Sequence, residues 1–371
     1  MPKHYAPDMV FHPGETLREK LEELGMGSKE FAIRTGKPEK TISNVLNGKS
    51  NITPEMAMLF EQVLQIPARF WLNRQAQYDE SVARSTQRKL IEEGCEWARK
   101  FPYSIMAKLG WVPPARKAEE KALHLYAFFQ IAQFTAWAAY FMDQKLKGQF
   151  RISLHGAKDP YALSAWLVRG EQQAGEIAAP PFSKKTLEKA LPQLKQIMVA
   201  VEKDFFHQAQ QLLLRCGVKL LCTPKLPKAP VNGVSRWINQ VPIIQLSDRW
   251  KRYDIFWFTL FHELGHILLH ETRFISMENI EYDDLDKDKE KEADDFAMRQ
   301  LFSEEEETDF FKKYSTFGKE EIISFAGAIQ THPAIILGRL VFREKVSYAY
   351  AQNMGLFKKL SINENDSIVV E

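Results

Sequence analysis

The sequence predicts an α+β chain, mainly helical, in three regions. Three observations predict it. Residues 1–80 carry short amphipathic helical patterns with sharp Gly and Pro punctuation. Around residue 217 the texture changes to short β-branched runs bounded by Gly and Pro. From Tyr253 the helical period returns, opening with an apolar run that contains His262-Glu263-Leu264-Gly265-His266. The expected architecture is five helices in 1–80, a helical middle over 81–210, and a C-terminal domain over 211–371. In that last domain a small three-stranded sheet precedes the histidine-bearing helix.

Composition sets the frame. At about 150 residues per domain, 371 residues suit two or three domains. A hydrophobic share of 45% with 12% aromatics excludes wholesale disorder. Fifty basic against 48 acidic side chains, a net charge of +2, neither point to nucleic acid nor exclude it. Cys95, Cys216 and Cys222 cannot form a disulfide framework, which fits a reducing, cytoplasmic setting. Met1 to Lys20 has no apolar core of a secretory signal. Leu123 to Met142 has the length of a membrane span but carries His124, Gln130, Gln133 and Thr135. It is read as a buried core helix, and no membrane partner is expected.

The first elements read as a helix-turn-helix. Ser28 is placed to cap a helix with Phe31, Ala32 and Thr35 on its buried face. Gly36 supplies the positive φ of a tight turn. Pro38 suits the first turn of the next helix, whose buried stripe is Ile42, Val45 and Leu46. Such a second helix lies in the major groove. Thr41, Ser43 and Asn44 can read base edges there, and Lys37, Lys40 and Lys49 can meet phosphates. Between residues 34 and 49, Arg34, Lys37, Lys40 and Lys49 face only Glu39. Thr53-Pro54-Glu55 marks a further helix start, and Pro67 opens another with Phe70 and Trp71 to be buried.

Val218–Cys222, Val234–Ile238 and Pro242–Leu246 are the expected strands. Cys216 and Cys222 flank the first and are read as packing residues. The tail from Ser361 to Glu371 is polar and expected to fray.

The chemistry concentrates in Trp257 to His270, WFTLFHELGHILLH. His262 and His266 stand one helical turn apart, so both imidazoles can reach one ion, and Glu263 can act on a water beside it. Two unpaired imidazoles inside an apolar run would be costly to bury. Gly265 costs about 1 kcal/mol against Ala inside a helix, which implies close packing against another backbone or a substrate. A catalytic zinc site needs a third protein ligand. In Glu290 to Ala297, at about 100° per residue, Glu290 shares the apolar face with Ala293, Phe296 and Ala297, and Glu292 falls nearly opposite. Glu290 is the expected ligand, Glu292 the alternative, and Asp294 is placed to orient a ligand imidazole. Asp283 to Asp288 reads as a solvated acidic run. With Zn2+ held by His262, His266 and Glu290, the fourth position is left for water, and Glu263 takes the proton as that water attacks a peptide carbonyl. His270 either extends the ligand face or lies past it at the helix end. His332 is either an oxyanion donor or a turn residue, and Arg339 either pairs with the acidic helix or is structural.

Two resemblances add to this reading. His12 to Asp79 closely resembles the HigA-type antitoxins, a branch of the phage-repressor-like helix-turn-helix proteins. The matching pieces are His12-Pro13-Gly14-Glu15, Ile42-Ser43-Asn44, Ile52-Thr53-Pro54-Glu55-Met56-Ala57 and Phe70-Trp71-Leu72-Asn73. This resemblance implies a five-helix lambda-repressor-like fold, homodimers on a palindromic double-stranded operator, autoregulation and, in toxin–antitoxin pairs, capture of an RNase toxin. Residues 210 to 345 resemble the ImmA/IrrE metallopeptidases. Here the matching pieces are Pro242-Ile243-Ile244, Leu246-Ser247-Asp248-Arg249, Phe258 to His266, Glu290 to Ala297, and Pro333 to Leu340. This one implies a zincin-like, zinc-dependent endopeptidase whose targets are repressors or regulators encoded nearby. Asp294 stands where many members carry Asn, and either can bond a histidine. Trp166 to Glu171 resembles a segment of longer proteins of this mixed kind, without derivable chemistry.

The combined expectation is a DNA-binding transcriptional regulator whose zinc peptidase domain cleaves a specific regulatory protein. The alternative is an antitoxin-like repressor that binds operator DNA and a toxin, with a non-proteolytic metal domain.

Overall fold

A computed structural model describes residues 11–145, 159–229, 231–249, 251–270, 276–277, 284–362 and 367–370. The chain divides into two compact units, Met1–Glu93 and Gly94–Glu371.

The first unit is built from α1 (Pro13–Glu23), α2 (Ser28–Thr35), α3 (Glu39–Leu46), α4 (Pro54–Leu64) and α5, which begins at Ala68 and runs to Ala98. Each start has a local cause. His12 Nδ1 accepts the Gly14 amide at 2.9 Å, with Pro13 opening α1. Gly36 ends α2 at φ 66°. Thr53 Oγ1 accepts the Met56 amide at 3.3 Å. Leu17, Phe31, Ile42, Val45, Phe60 and Trp71 make the core. Two local expectations are corrected. Gly27, not Ser28, occupies the cap position of α2, and Ser28 is already helical. Phe70 is 40% exposed, because successive positions on a helix point about 100° apart and Trp71 takes the inward one.

The second unit contains α6 (Tyr103–Lys108), α7 (Ala118–Phe129), α8 (Phe134–Trp137), a π-helix (Ala138–Lys145), α9 (Pro160–Gly175), α10 (Lys184–Ala200) and α11 (Phe205–Arg215). The run from Leu123 to Met142 is not one helix. Gln130 turns left-handed at φ 54°, ends α7, and the chain restarts at Phe134. Its rings still pack inward, with Trp97, Phe101, Phe129 and Trp137 in mutual contact. Among the described residues no single helix is long and apolar enough to cross a membrane.

The sheet has four strands, one more than the three expected: β1 (Lys219–Cys222), β2 (Gly233–Ile238), β3 (Val241–Leu246) and β4 (Ser276–Met277), in the order β1-β3-β2-β4. β1 lies parallel to β3, and β2 is antiparallel to β3 and β4. Asn239 and Gln240, both at positive φ, make the two-residue turn that joins β2 to β3. Alternation divides the faces. Leu220, Cys222, Ile244 and Leu246 join the main core under α12 (Tyr253–Leu269).

The opposite face carries Leu221 and Ile243 against Ala174 of α9. It also carries Arg236 and Gln245, both buried. Arg236 donates to the Leu167 carbonyl at 2.7 Å and pairs with Glu171 at 3.2 Å. Gln245 donates to the Trp166 carbonyl at 2.8 Å, in space that Gly170 leaves open: a Cβ there would lie 2.1 Å from the Gln245 amide. The Trp166–Glu171 segment thus clamps α9 onto the sheet. The sequence texture set 81–210 apart, but by contact the helices from α6 onward belong with the sheet.

After α12 come α13 (Asp284–Leu301), α14 (Glu304–Lys313), α15 (Lys319–Ala328), α16 (Pro333–Phe342) and α17 (Tyr348–Asn353). The chain ends in a hairpin rather than a frayed tail: β5 (Leu360–Ile362) pairs antiparallel with β6 (Ile368–Val370). Leu360 and Ile368 are buried, and the Leu360 and Tyr253 amides bond the Lys251 and Lys358 carbonyls at 2.9 and 3.1 Å. Of the acidic run Asp283 to Asp288, read as solvated, Asp283 lies outside the described residues, and Asp288 is exposed on the first turns of α13.

Candidate functional site

α12 is apolar almost all round and buried along nearly its whole length. Its polar exceptions are therefore conspicuous. His262, Glu263 and His266 are at most 4% exposed. The two Nε2 atoms lie 2.9 Å apart.

α13 packs beside α12 and supplies the third group. Glu290 Oε2 lies 3.3 Å from His262 Nε2, and its Oε1 lies 3.5 Å from His266 Nε2. One donor atom from each of the three residues falls within a 4.8 Å span. Gly265 permits the approach: a Cβ there would stand 3.2 Å from the Ala293 Cα and 3.1 Å from Phe296. The glycine faces another backbone, one of the two partners expected of it.

The outer nitrogens are also engaged. His262 Nδ1 lies 2.8 Å from Asp294 Oδ1, as the one-turn spacing from Glu290 anticipates. Glu292 is not in the cluster. It meets His270 Nε2 at 3.1 Å, and His270 Nδ1 lies 2.9 Å from His266 Nδ1. His270 therefore stands behind a cluster histidine instead of extending the row. The i+4 spacing signalled that it would be near, but not on which side.

Electrostatics follow from burial and these contacts. Burial opposes ionisation of Glu290, yet hydrogen bonds to His262 and His266 outweigh it and hold the carboxyl down at about 2. Burial also opposes charge on His262, and the bonds to Asp294 and Glu290 more than reverse this, raising it well above the usual range. For His266 burial wins, with the neighbouring His262 and His270 adding to it, and takes the imidazole down to about 4. Two imidazole nitrogens and an ionised carboxylate converging on one point, with outer hydrogen bonds fixing the rings, form a donor set that fits a zinc ion.

Glu263 is fully buried one residue from His262. The start of β2 presses on it: a Cβ at Gly233 would lie 3.1 Å from Glu263 Oε1 and 2.6 Å from Thr259 Cγ2. Sheet and helix thus meet at the level of this carboxylate.

Two other singled-out residues lie elsewhere. His332 caps α16, its Nδ1 accepting the Ala334 amide at 3.1 Å, with its ring 5.1 Å from Tyr253. It is a cap in the manner of His12, not a donor to the cluster. Arg339 pairs with buried Glu307 of α14 at 3.3 Å. Cys216 and Cys222 are buried free thiols in the core.

In the first unit, α3 buries Ile42 and Val45 and turns Glu39 and Lys40 to solvent. Thr41, Ser43 and Asn44 are half-buried on its flank, and Lys49 is exposed beyond its end. Lys37 is held by Glu55 at 2.6 Å, a contact the sequence did not signal. Asn47 Nδ2 donates to the Ser43 carbonyl at 2.8 Å.

Comparison with known proteins agrees with both halves. Residues 17–71 match the helix-turn-helix family, and residues 220–328 match the IrrE N-terminal-like domain. The HTH-type transcriptional regulator YddM of Escherichia coli is 34% identical over 86 residues, 22% of this chain and 92% of that protein. Among solved structures, an addiction module antidote protein of the HigA family from Coxiella burnetii is 33% identical. It covers 23% of this chain and 92% of its own, with a TM-score of 0.22. Pseudomonas aeruginosa antitoxin HigA, solved with the higBA promoter, is 28% identical over 23% of this chain and 94% of its own, also at 0.22. The chain belongs to the helix-turn-helix regulators through its first unit, and carries an IrrE N-terminal-like, M78-type peptidase domain in its second.

Proposed function

We propose that this chain is a DNA-binding transcriptional regulator whose second unit is a zinc-dependent endopeptidase acting on a specific regulatory protein. The observation that carries the enzymatic half is the buried convergence of His262, His266 and Glu290 next to Glu263. His262, His266 and Glu290 would hold the ion. Bound there, zinc supplies Lewis-acid polarisation of a peptide carbonyl and a nucleophilic water at neutral pH. The residues of the chain do the rest. Asp294 keeps the His262 proton on Nδ1 and so keeps Nε2 turned inward. Glu263, adjacent to His262 on the same helix, takes a proton from the attacking water and returns it to the leaving amine. Burial of α12 excludes bulk water around these groups.

In the first unit, Thr41, Ser43 and Asn44 read bases from the major groove, and Lys37, Lys40 and Lys49 neutralise phosphates. Match to the helix-turn-helix family supports this assignment. The regulator would act as a homodimer on a palindromic operator.

The test pairs two measurements on the full chain. Zinc content should be about one per chain in the wild type and in Glu263→Ala. Cleavage of the neighbouring gene's protein product should occur only in the wild type. Cleavage unchanged in metal-replete Glu263→Ala removes Glu263 as the base. A metal-replete wild type that binds its promoter and a small toxin without cutting either replaces the protease by an antitoxin-like repressor.

A further inference from the structure

We propose that His270 and Glu292 form a positioning relay for His266, so that α13 steadies both ligand imidazoles: His262 directly through Asp294, and His266 through His270. This deepens the metal-centre reading and rests on it. The relay is read from two contacts, 2.9 Å between His266 Nδ1 and His270 Nδ1 and 3.1 Å between His270 Nε2 and Glu292 Oε2.

Proton inventory sets its direction. A ligating imidazole nitrogen must present a lone pair. With Nε2 of His266 so used, its proton sits on Nδ1 and is donated to His270 Nδ1. That nitrogen must then be bare, so the single proton of neutral His270 sits on Nε2. There Glu292 Oε2 accepts it. One tautomer of each ring satisfies the whole chain, and the carboxylate at the end selects it.

The fold builds this arrangement. His270 leaves the helix, at φ −108° and ψ 163°, while its amide still bonds the His266 carbonyl at 3.1 Å. Its ring lies against that of His266, 4.9 Å between centroids, at the same i+4 spacing that brings His262 to His266. The His270 side chain is 3% exposed and that of Glu292 is 62% exposed, so the relay runs from the buried centre to the surface.

The test measures zinc affinity by chelator competition, and the visible spectrum of the cobalt-substituted chain, for the wild type and three variants. His270→Leu fills similar space but cannot accept a hydrogen bond. It should lower zinc affinity about 10- to 100-fold and shift the cobalt ligand-field bands. His270→Gln offers a carbonyl oxygen to His266 Nδ1 and should recover most of both. Glu292→Ala, a change at an exposed side chain that spares the core, should lose affinity in the same sense by a few-fold. Wild-type affinity and unshifted cobalt bands in both His270→Leu and Glu292→Ala overturn the relay while leaving the metal centre standing. A wild-type chain that takes up neither zinc nor cobalt overturns the metal centre and the relay with it.

Discussion

Gly265→Ala sets two opposed effects against each other. In an ordinary helix interior the change stabilises by about 1 kcal/mol. Here the new methyl would meet the Ala293 Cα at 3.2 Å and Phe296 at 3.1 and 3.3 Å. Carbon atoms settle at about 3.5–4.0 Å, so relief requires a retreat of roughly 0.4 Å. The Ala293 contact is backbone, so α13 moves as a body, and overpacking of this kind costs about 1–3 kcal/mol. The net expectation is a loss of about 1 kcal/mol, a fall in Tm of roughly 2–4 °C for a unit of this size. Glu290 and Asp294 flank Ala293 on the same helix and move with it. The 2.8 Å bond from Asp294 to His262 would lengthen to roughly 3.2 Å, the long end of the ordinary range, and weaken. Zinc affinity should therefore fall by a few-fold, short of the roughly 10-fold that marks the low end for outright loss of an outer hydrogen bond. Calorimetry of the metal-free chain and chelator competition read the two effects separately. A Tm that rises with unchanged zinc affinity would show that the close approach of the helices is not what the glycine serves.

Three further expectations follow from the same geometry. Gly14→Ala would place a Cβ 1.9 Å from the Val45 carbonyl oxygen of α3, backbone against backbone, and should destabilise the first unit by about 3 kcal/mol; an unchanged thermal transition would count against that packing. Burial holds the His332 imidazole down at about 4 against its ordinary 6.5, with Lys358 adding to the effect. Between those values the unfolded chain binds a proton that the folded chain refuses, so stability present above pH 6.5 is lost as pH falls towards 4, by about 3 kcal/mol at most. His332→Asn keeps the cap without titrating and should flatten urea midpoints measured between pH 7 and 5; equal slopes in variant and wild type refute the assignment. On DNA, Lys40→Ala and Lys49→Ala should each reduce the salt slope of binding by about 1 without changing sequence preference, whereas Asn44→Ala should relax preference at a cost of about 1–3 kcal/mol in gel shifts.

How far the sequence could be read depended on the range of the interaction. Elements set by residues a turn apart were legible: the turn at Gly36, the cap at Thr53, the His262–His266 pair, and the placement of Glu290 rather than Glu292 beside it by helical phase. Asp294 was legible for the same reason. What failed depends on partners far along the chain. The tail reads as polar because Asn363 to Ser367 dominates it, and only pairing of the two short strands with each other and with Lys251 and Tyr253 buries Leu360 and Ile368. Leu123 to Met142 reads as one helix because nothing in its composition announces that Gln130 turns left-handed. Arg236 gave no signal, since its partners Leu167 and Glu171 lie 69 and 65 residues away.

That last case separates a buried polar network from a site. Arg236 with Gln245 and the cluster of His262, His266 and Glu290 are both buried polar groups in an apolar surround, and burial alone does not distinguish them. Their bonding does. Arg236 and Gln245 spend donors on main-chain carbonyls of α9, at 2.7 and 2.8 Å, and Arg236 also bonds Glu171 and Gln245, so all but Nε of the guanidinium is turned to partners within the fold. In the cluster, two imidazole Nε2 atoms approach to 2.9 Å while both Nδ1 atoms already face a partner outside it. The inner nitrogens share their space with the Glu290 carboxylate, and a positive charge among them, a proton on His262 or a metal ion, reconciles the three groups. Convergence of three donor atoms on one point, more than the burial of histidine, is what sets this cluster apart from the Arg236 network.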